Sequence, residues 1–134
     1  MNQQMTVETI MTKSAPAPAG HYSQATRTHG FVFVSGQLPV NIEGVAQAEA
    51  SFEDQTRLVI ENMKAILAAT GSDTDHLVRV TAYIVGVENW PKFNALYATL
   101  LPQIRPARTV APVAELHHGC LVEIDAIALD CRAA

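Results

Sequence analysis

Charge is scarce in this chain of 134 residues: 16% are charged, with nine Lys and Arg against thirteen Asp and Glu, for a formal net charge of −4. Gripping phosphate backbones without regard to sequence takes clustered Lys and Arg, which this chain lacks, so nucleic acid is a poor partner for it. Cysteine is nearly absent. A continuous strand would hold Cys120 and Cys131 roughly 30 Å apart, which forbids an internal bridge, and reduced thiols fit a cytoplasmic setting. No CxxC or HExxH occurs, and the adjacent His117 and His118 cannot both face one metal from an extended segment, so no metal site is expected. No glycine-rich phosphate loop supports a nucleotide cofactor, and without GxSxG a serine nucleophile is disfavoured. No apolar run approaches the roughly 20 residues of a membrane span, and Met1 to Thr12 has no charged start followed by an apolar stretch. These absences lead to the expectation of a soluble cytoplasmic protein with no membrane, nucleic-acid, metal or cofactor partner.

Apolar residues are plentiful, 49% of the chain, enough for the core of one domain spanning residues 1–134. Residues 1–19, with Ala15-Pro16-Ala17-Pro18-Ala19, have no amphipathic period and predict an extended segment, with structure proper beginning after Gly20. Tyr22 to Thr28 and Phe31 to Val34, separated by His29-Gly30, predict a hairpin, and Leu38 to Ala50 a connecting loop. Thr56, Val59, Ile60, Met63, Ile66, Leu67 and Thr70 recur at helical spacing, with Ser51 as the cap and Gly71 as the stop. Leu77 to Val87 predicts a buried strand. A second helix follows, capped by Asn89, with Pro91 in its first turn and Phe93, Leu96, Tyr97, Leu100 and Leu101 on one face. Ala107 to Leu116 and Cys120 to Asp130 close the chain as strands around His117-His118-Gly119, and Pro112 puts the first of them at an edge or a bulge. The order ββαβαββ implies an α+β domain with two helices on one face of a mixed sheet. Its other face would be bare without another subunit, and consecutive aliphatic residues in Leu77 to Val87 predict an oligomer.

Arg108 and Glu123, fifteen residues apart, each interrupt an otherwise apolar strand. An isolated buried charge costs several kcal/mol, comparable with the stability margin of a small domain, so such a charge is paired or used. The planar guanidinium of Arg108 is matched to a carboxylate, either that of a small organic acid or that of Glu123 or Asp125 in a structural ion pair. Partial burial of Glu123 would raise its pKa and suit it to handling a proton or a water; the other reading is a solvent-facing strand residue. Tyr22 lies in the polar patch Gly20 to Gln24, which is either a pocket wall or an ordinary turn. Ser35 and Gly36 end a strand where a hydroxyl and backbone N–H groups can receive an anion. Asn94 is read as bonding a backbone, Cys120 as a small core residue, Trp90 as the anchor of the second helix, and the paired histidines as solvated.

Six segments in order from Ala15 to Leu129, namely Gly20 to Ala25, Phe33 to Pro39, Glu61 to Ile66, Phe93 to Tyr97, Pro106 to Thr109 and Val122 to Ala128, resemble the RidA (YjgF) family of reactive intermediate deaminases. The resemblance implies a chorismate-mutase-like fold, a homotrimer with active sites between subunits, and cofactor-free hydrolysis of reactive enamine and imine acids to 2-keto acids and ammonia. The expected substrates are 2-iminobutanoate and 2-iminopropanoate. Carried over by position, Arg108 would hold the substrate carboxylate and Glu123 would activate water. Tyr22, Ser35 and Gly36 would line the cleft, with Asn94 in support. The alternatives are a trimer that binds small carboxylates or acts as a chaperone without turnover, and a deaminase of another catabolic enamine. Departures from the family pattern are His21 in place of a usual proline, Val110 in place of a frequent cysteine, and His117-His118-Gly119 in place of a Pro-Lys-Asp type turn. His21 would narrow the pocket, donate a proton or lie inert at the surface.

Overall fold

In a computed structural model that describes residues 6–133, the chain forms a mixed six-stranded sheet with two helices packed on one face. The strands are β1 (Glu8–Ile10), β2 (Ala25–Thr28), β3 (Phe31–Gln37), β4 (Leu77–Val85), β5 (Ala107–Val113) and β6 (Val122–Leu129); the helices are α1 (Phe52–Thr70) and α2 (Trp90–Leu100). Spatial order is β1-β2-β3-β6-β4-β5. Only the β4–β5 pair is parallel, and α2 lies in the crossover that such a pair requires. The expected ββαβαββ order is present, with β1 added at its start: the N-terminal segment contributes an edge strand instead of preceding the structure.

The period-2 pattern sorts the sheet into two faces. Val32 and Val34 of β3, Val80, Ala82 and Ile84 of β4, and Val122, Ile124, Ala126 and Ala128 of β6 are buried. They meet Val59, Ile60, Met63, Ile66 and Leu67 of α1 in one core, each residue of full Val or Ile size contributing about 1.5–3 kcal/mol by leaving water. The other face carries Phe31, Phe33, Tyr83, Glu123, Asp125, Ile127 and Leu129, and Phe31, Phe33 and Leu129 are exposed.

Helix α1 has the expected ends. The Ser51 hydroxyl accepts from the Asp54 N–H at 3.0 Å, and Gly71 takes the left-handed conformation, φ 85°, that a side chain would oppose. The cap of α2 differs from expectation. Asn89 makes no side-chain cap bond because its Nδ2 donates to the Val85 carbonyl at 2.9 Å, closing the short 3₁₀ turn Val87–Asn89 that leads into α2. Pro112 lies on edge strand β5, whose sole sheet neighbour is β4, as its missing N–H requires.

Candidate active site

Strand β3 slips register against β6 between Val34 and Gln37. This β-bulge turns Ser35 and Gly36 out of the regular ladder, as bulges beside functional sites do. The slip brings the β3 backbone against Glu123: a Cβ placed on Gly36 would lie 2.6 Å from Glu123 Oε2, so any side chain there would displace the carboxylate. The Ser35 N–H donates to the Gln24 carbonyl at 2.9 Å and its hydroxyl to the Ser23 carbonyl at 2.6 Å, which fixes the bulge against the chain entering β2. Gln37, buried, donates to the carbonyls of Ser35 and Gly36.

Around this bulge opens a cavity of about 1140 Å³ bounded by Pro16 to Gly20, Tyr22, Ser35 to Leu38, the loop from Val40 to Ala46, His117, His118 and Glu123. Two buried amides shape it. Gln24, 1% exposed, accepts from the Thr12 N–H at 2.6 Å and donates to the Pro16 carbonyl at 2.8 Å, pinning the N-terminal wall. Asn62 of α1 donates to the carbonyls of Leu38 and Val40 and pins the opposite one. Neither amide stands out in the sequence. Both were visible as polar residues inside the family-like segments, but the loops they hold carry no periodic pattern.

Glu123 is half-buried and, among the described residues, its carboxylate has no hydrogen bond or ion pair. Burial holds its pKa above the usual carboxylate range; His117 opposes that shift and Asp125, on the same strand face, adds to it. The paired histidines are exposed, as expected of solvated residues, yet they stand at the cavity rim. Tyr22 is 51% exposed, and its hydroxyl accepts from the Ala19 N–H at 3.4 Å. His21 is exposed and does not line the cavity of the single chain. Among the described residues no group of three or more His, Cys, Asp or Glu is placed to hold a metal ion, and no helix is long and apolar enough to cross a membrane.

Of the residues singled out from sequence, Tyr22, Ser35, Gly36 and Glu123 share this cavity; Arg108 and Asn94 do not. Arg108 pairs with Val80, whose side chain is buried under the helices, whereas Glu123 pairs with Tyr83 on the uncovered face. Partners in register share a face, so within one chain the two charges stand on opposite sides of the sheet. Within one chain Arg108 therefore forms no structural ion pair with Glu123 or Asp125. Asp125 accepts instead from the Tyr83 hydroxyl at 3.0 Å, and Arg108 has no side-chain acceptor among the described residues; its guanidinium carbon lies 4.9 Å from the Tyr97 ring centre and 5.9 Å from those of Trp90 and Phe93. Asn94 is half-buried on α2 and, contrary to expectation, its side chain bonds no backbone among the described residues. Val110 packs against the core, and Cys120 is a buried free thiol.

The model of the family Endoribonuclease L-PSP matches residues 12–130. A RutC family protein of Pyrococcus horikoshii is 39% identical over 90% of this chain and 96% of its own. Reactive Intermediate Deaminase A, chloroplastic, of Arabidopsis thaliana is 37% identical over 90% of this chain and 65% of its own longer one. Among solved structures, E. coli TdcF with bound serine superposes with a TM-score of 0.84 at 32% identity, covering 91% of this chain and 98% of that one.

Proposed function

Because the chain belongs to the Endoribonuclease L-PSP family, that of the YjgF and RidA proteins, we propose that it hydrolyses small 2-imino acids, of the 2-iminobutanoate and 2-iminopropanoate type, to 2-keto acids and ammonia without a cofactor. The observation that carries this reading is the half-buried, unpaired Glu123 carboxylate held against Gly36 in the cavity wall. An imine carbon is already electrophilic, so the reaction needs a placed water and a group that moves protons. In the proposed sequence the water oxygen bonds to the imine carbon while Glu123 takes a proton from it. The same carboxyl returns that proton to nitrogen to give a carbinolamine; it then carries the carbinolamine hydroxyl proton to nitrogen as well, so that the carbon–nitrogen bond breaks as the carbonyl forms and ammonia leaves a 2-keto acid behind. Tyr22 and Ser35 wall the polar end of the cleft. A free amino acid is an imino acid's near neighbour in shape and charge, and the serine bound to TdcF supports a ligand of this class.

The substrate carboxylate is assigned to Arg108, which reaches such a cavity only from a second copy. A homotrimer supplies that copy and covers the uncovered sheet face where Phe31, Phe33 and Leu129 lie open. Asn94 is a supporting residue on the Arg108 side. The enzyme should speed keto-acid release from imine made in place by an amino-acid oxidase, and both Arg108→Ala and Glu123→Gln should remove that acceleration. Ligand binding by the wild type without acceleration would leave only the non-catalytic carboxylate-binding reading.

A further inference from the structure

Arg27, Arg57, Arg79 and Arg132 each donate to an acceptor of their own chain. Arg27, 8% exposed, bonds Asp130 at 2.9 Å and the Thr70 carbonyl at 2.8 Å; Arg57 bonds Asp54, Arg79 bonds the Thr109 hydroxyl, and Arg132 bonds Glu8. Arg108 is treated differently. It is half-buried and has aromatic faces where Arg27 has acceptors. Trp90, Phe93 and Tyr97 recur at the spacing of one helix face, and all three rings lie within 6 Å of its guanidinium carbon, the range of a cation–π contact. Phe93 and Tyr97 are themselves buried, with ring centres 5.6 Å apart.

We propose that Tyr97, with Trp90 and Phe93, forms a positioning cradle for Arg108, holding the guanidinium by ring faces and leaving its N–H donors open for the carboxylate of an imino-acid ligand. The inference rests on Arg108 being the carboxylate grip. A carboxylate partner would hold the side chain equally well but would occupy the fork that a ligand needs; ring faces attract the cation without accepting those hydrogen bonds. Burial pushes the Tyr97 phenol up against the pull of Arg108, so the ring meets the cation as a neutral face and not as a phenolate. Among the described residues the Tyr97 hydroxyl is buried and has no hydrogen-bond partner, and it is the ring that faces the guanidinium.

The test uses Tyr97→Leu, Trp90→Leu and the conservative Tyr97→Phe in the full-length protein. The first readout is the Arg108 Nε–Hε signal in NMR spectra without ligand, assigned by its loss in Arg108→Lys; the second is steady-state kinetics with an oxidase-generated imine. Removing a ring should move that signal toward its solvent-exposed position and raise KM about tenfold with a smaller change in kcat, whereas Tyr97→Phe should stay within about threefold of wild type. If Tyr97→Leu does not fold, the half-exposed Trp90 position decides. An unmoved signal in a folded ring-less variant overturns the cradle. A wild type that shows the shifted signal but neither turns over imine nor binds pyruvate overturns the proposed function while leaving the cradle standing.

Discussion

At the scale of single residues, Gly36 and His117 determine what Glu123 can do. Gly36→Ala places a methyl 2.6 Å from a carboxylate oxygen, well inside van der Waals contact. The carboxylate must swing away, and deaminase activity should fall at least tenfold with the fold retained, as circular dichroism would verify. His117 lowers the pKa of Glu123 against burial. His117→Gln should therefore move the acid limb of the kcat/KM profile to higher pH, and an unmoved limb would contradict that role. Stability follows the opposite logic. Because the folded-state pKa of Glu123 is raised, its contribution is fully present below the unfolded pKa and is lost as pH rises through the folded value. Glu123→Gln should then melt higher than wild type above that pH and equally with it below. The gain is a few degrees at most, since solvent screening at a half-exposed group leaves under about 1 kcal/mol.

At the scale of elements, what sequence disclosed was whatever local chemistry decides. Helix α1 was legible to the residue because its apolar stripe, the Ser51 cap and the Gly71 stop are local devices. Ser51→Ala should cost about 1 kcal/mol, and Ile60→Ala, at a fully buried position, about 2–5 kcal/mol, both readable from denaturant midpoints. Strand β1 was not legible: three residues with only Ile10 buried carry no alternation, and pairing with β2 creates the strand. Asn89 does not cap α2 because the turn out of β4 orients its side chain so that Nδ2 donates to the Val85 carbonyl. The walls of the cavity were hidden for a similar reason, since Gln24 and Asn62 hold aperiodic loops through contacts distant in sequence.

At the scale of the whole molecule, alternation along β6 placed Glu123 on the face opposite the core, but no sequence pattern put Arg108 on the other side, because the parallel β4–β5 register is set by the α2 crossover. That division argues for assembly: two charges with no partner among the described residues, on opposite sides of the sheet, meet only through a second copy, and an exposed Phe31–Phe33 pair marks a surface that needs covering. Solution mass should be three times 14.5 kDa, and Phe33→Asp should lower it.

The most direct test of a site shared between copies mixes two inactive variants. Arg108→Ala and Glu123→Gln subunits, unfolded and refolded together in equal amounts, would regenerate intact sites wherever an arginine from one copy faces a glutamate from the next. In a closed ring of three with random composition that recovers roughly a quarter of wild-type activity. Activity no higher than that of the two variants refolded apart would contradict the account.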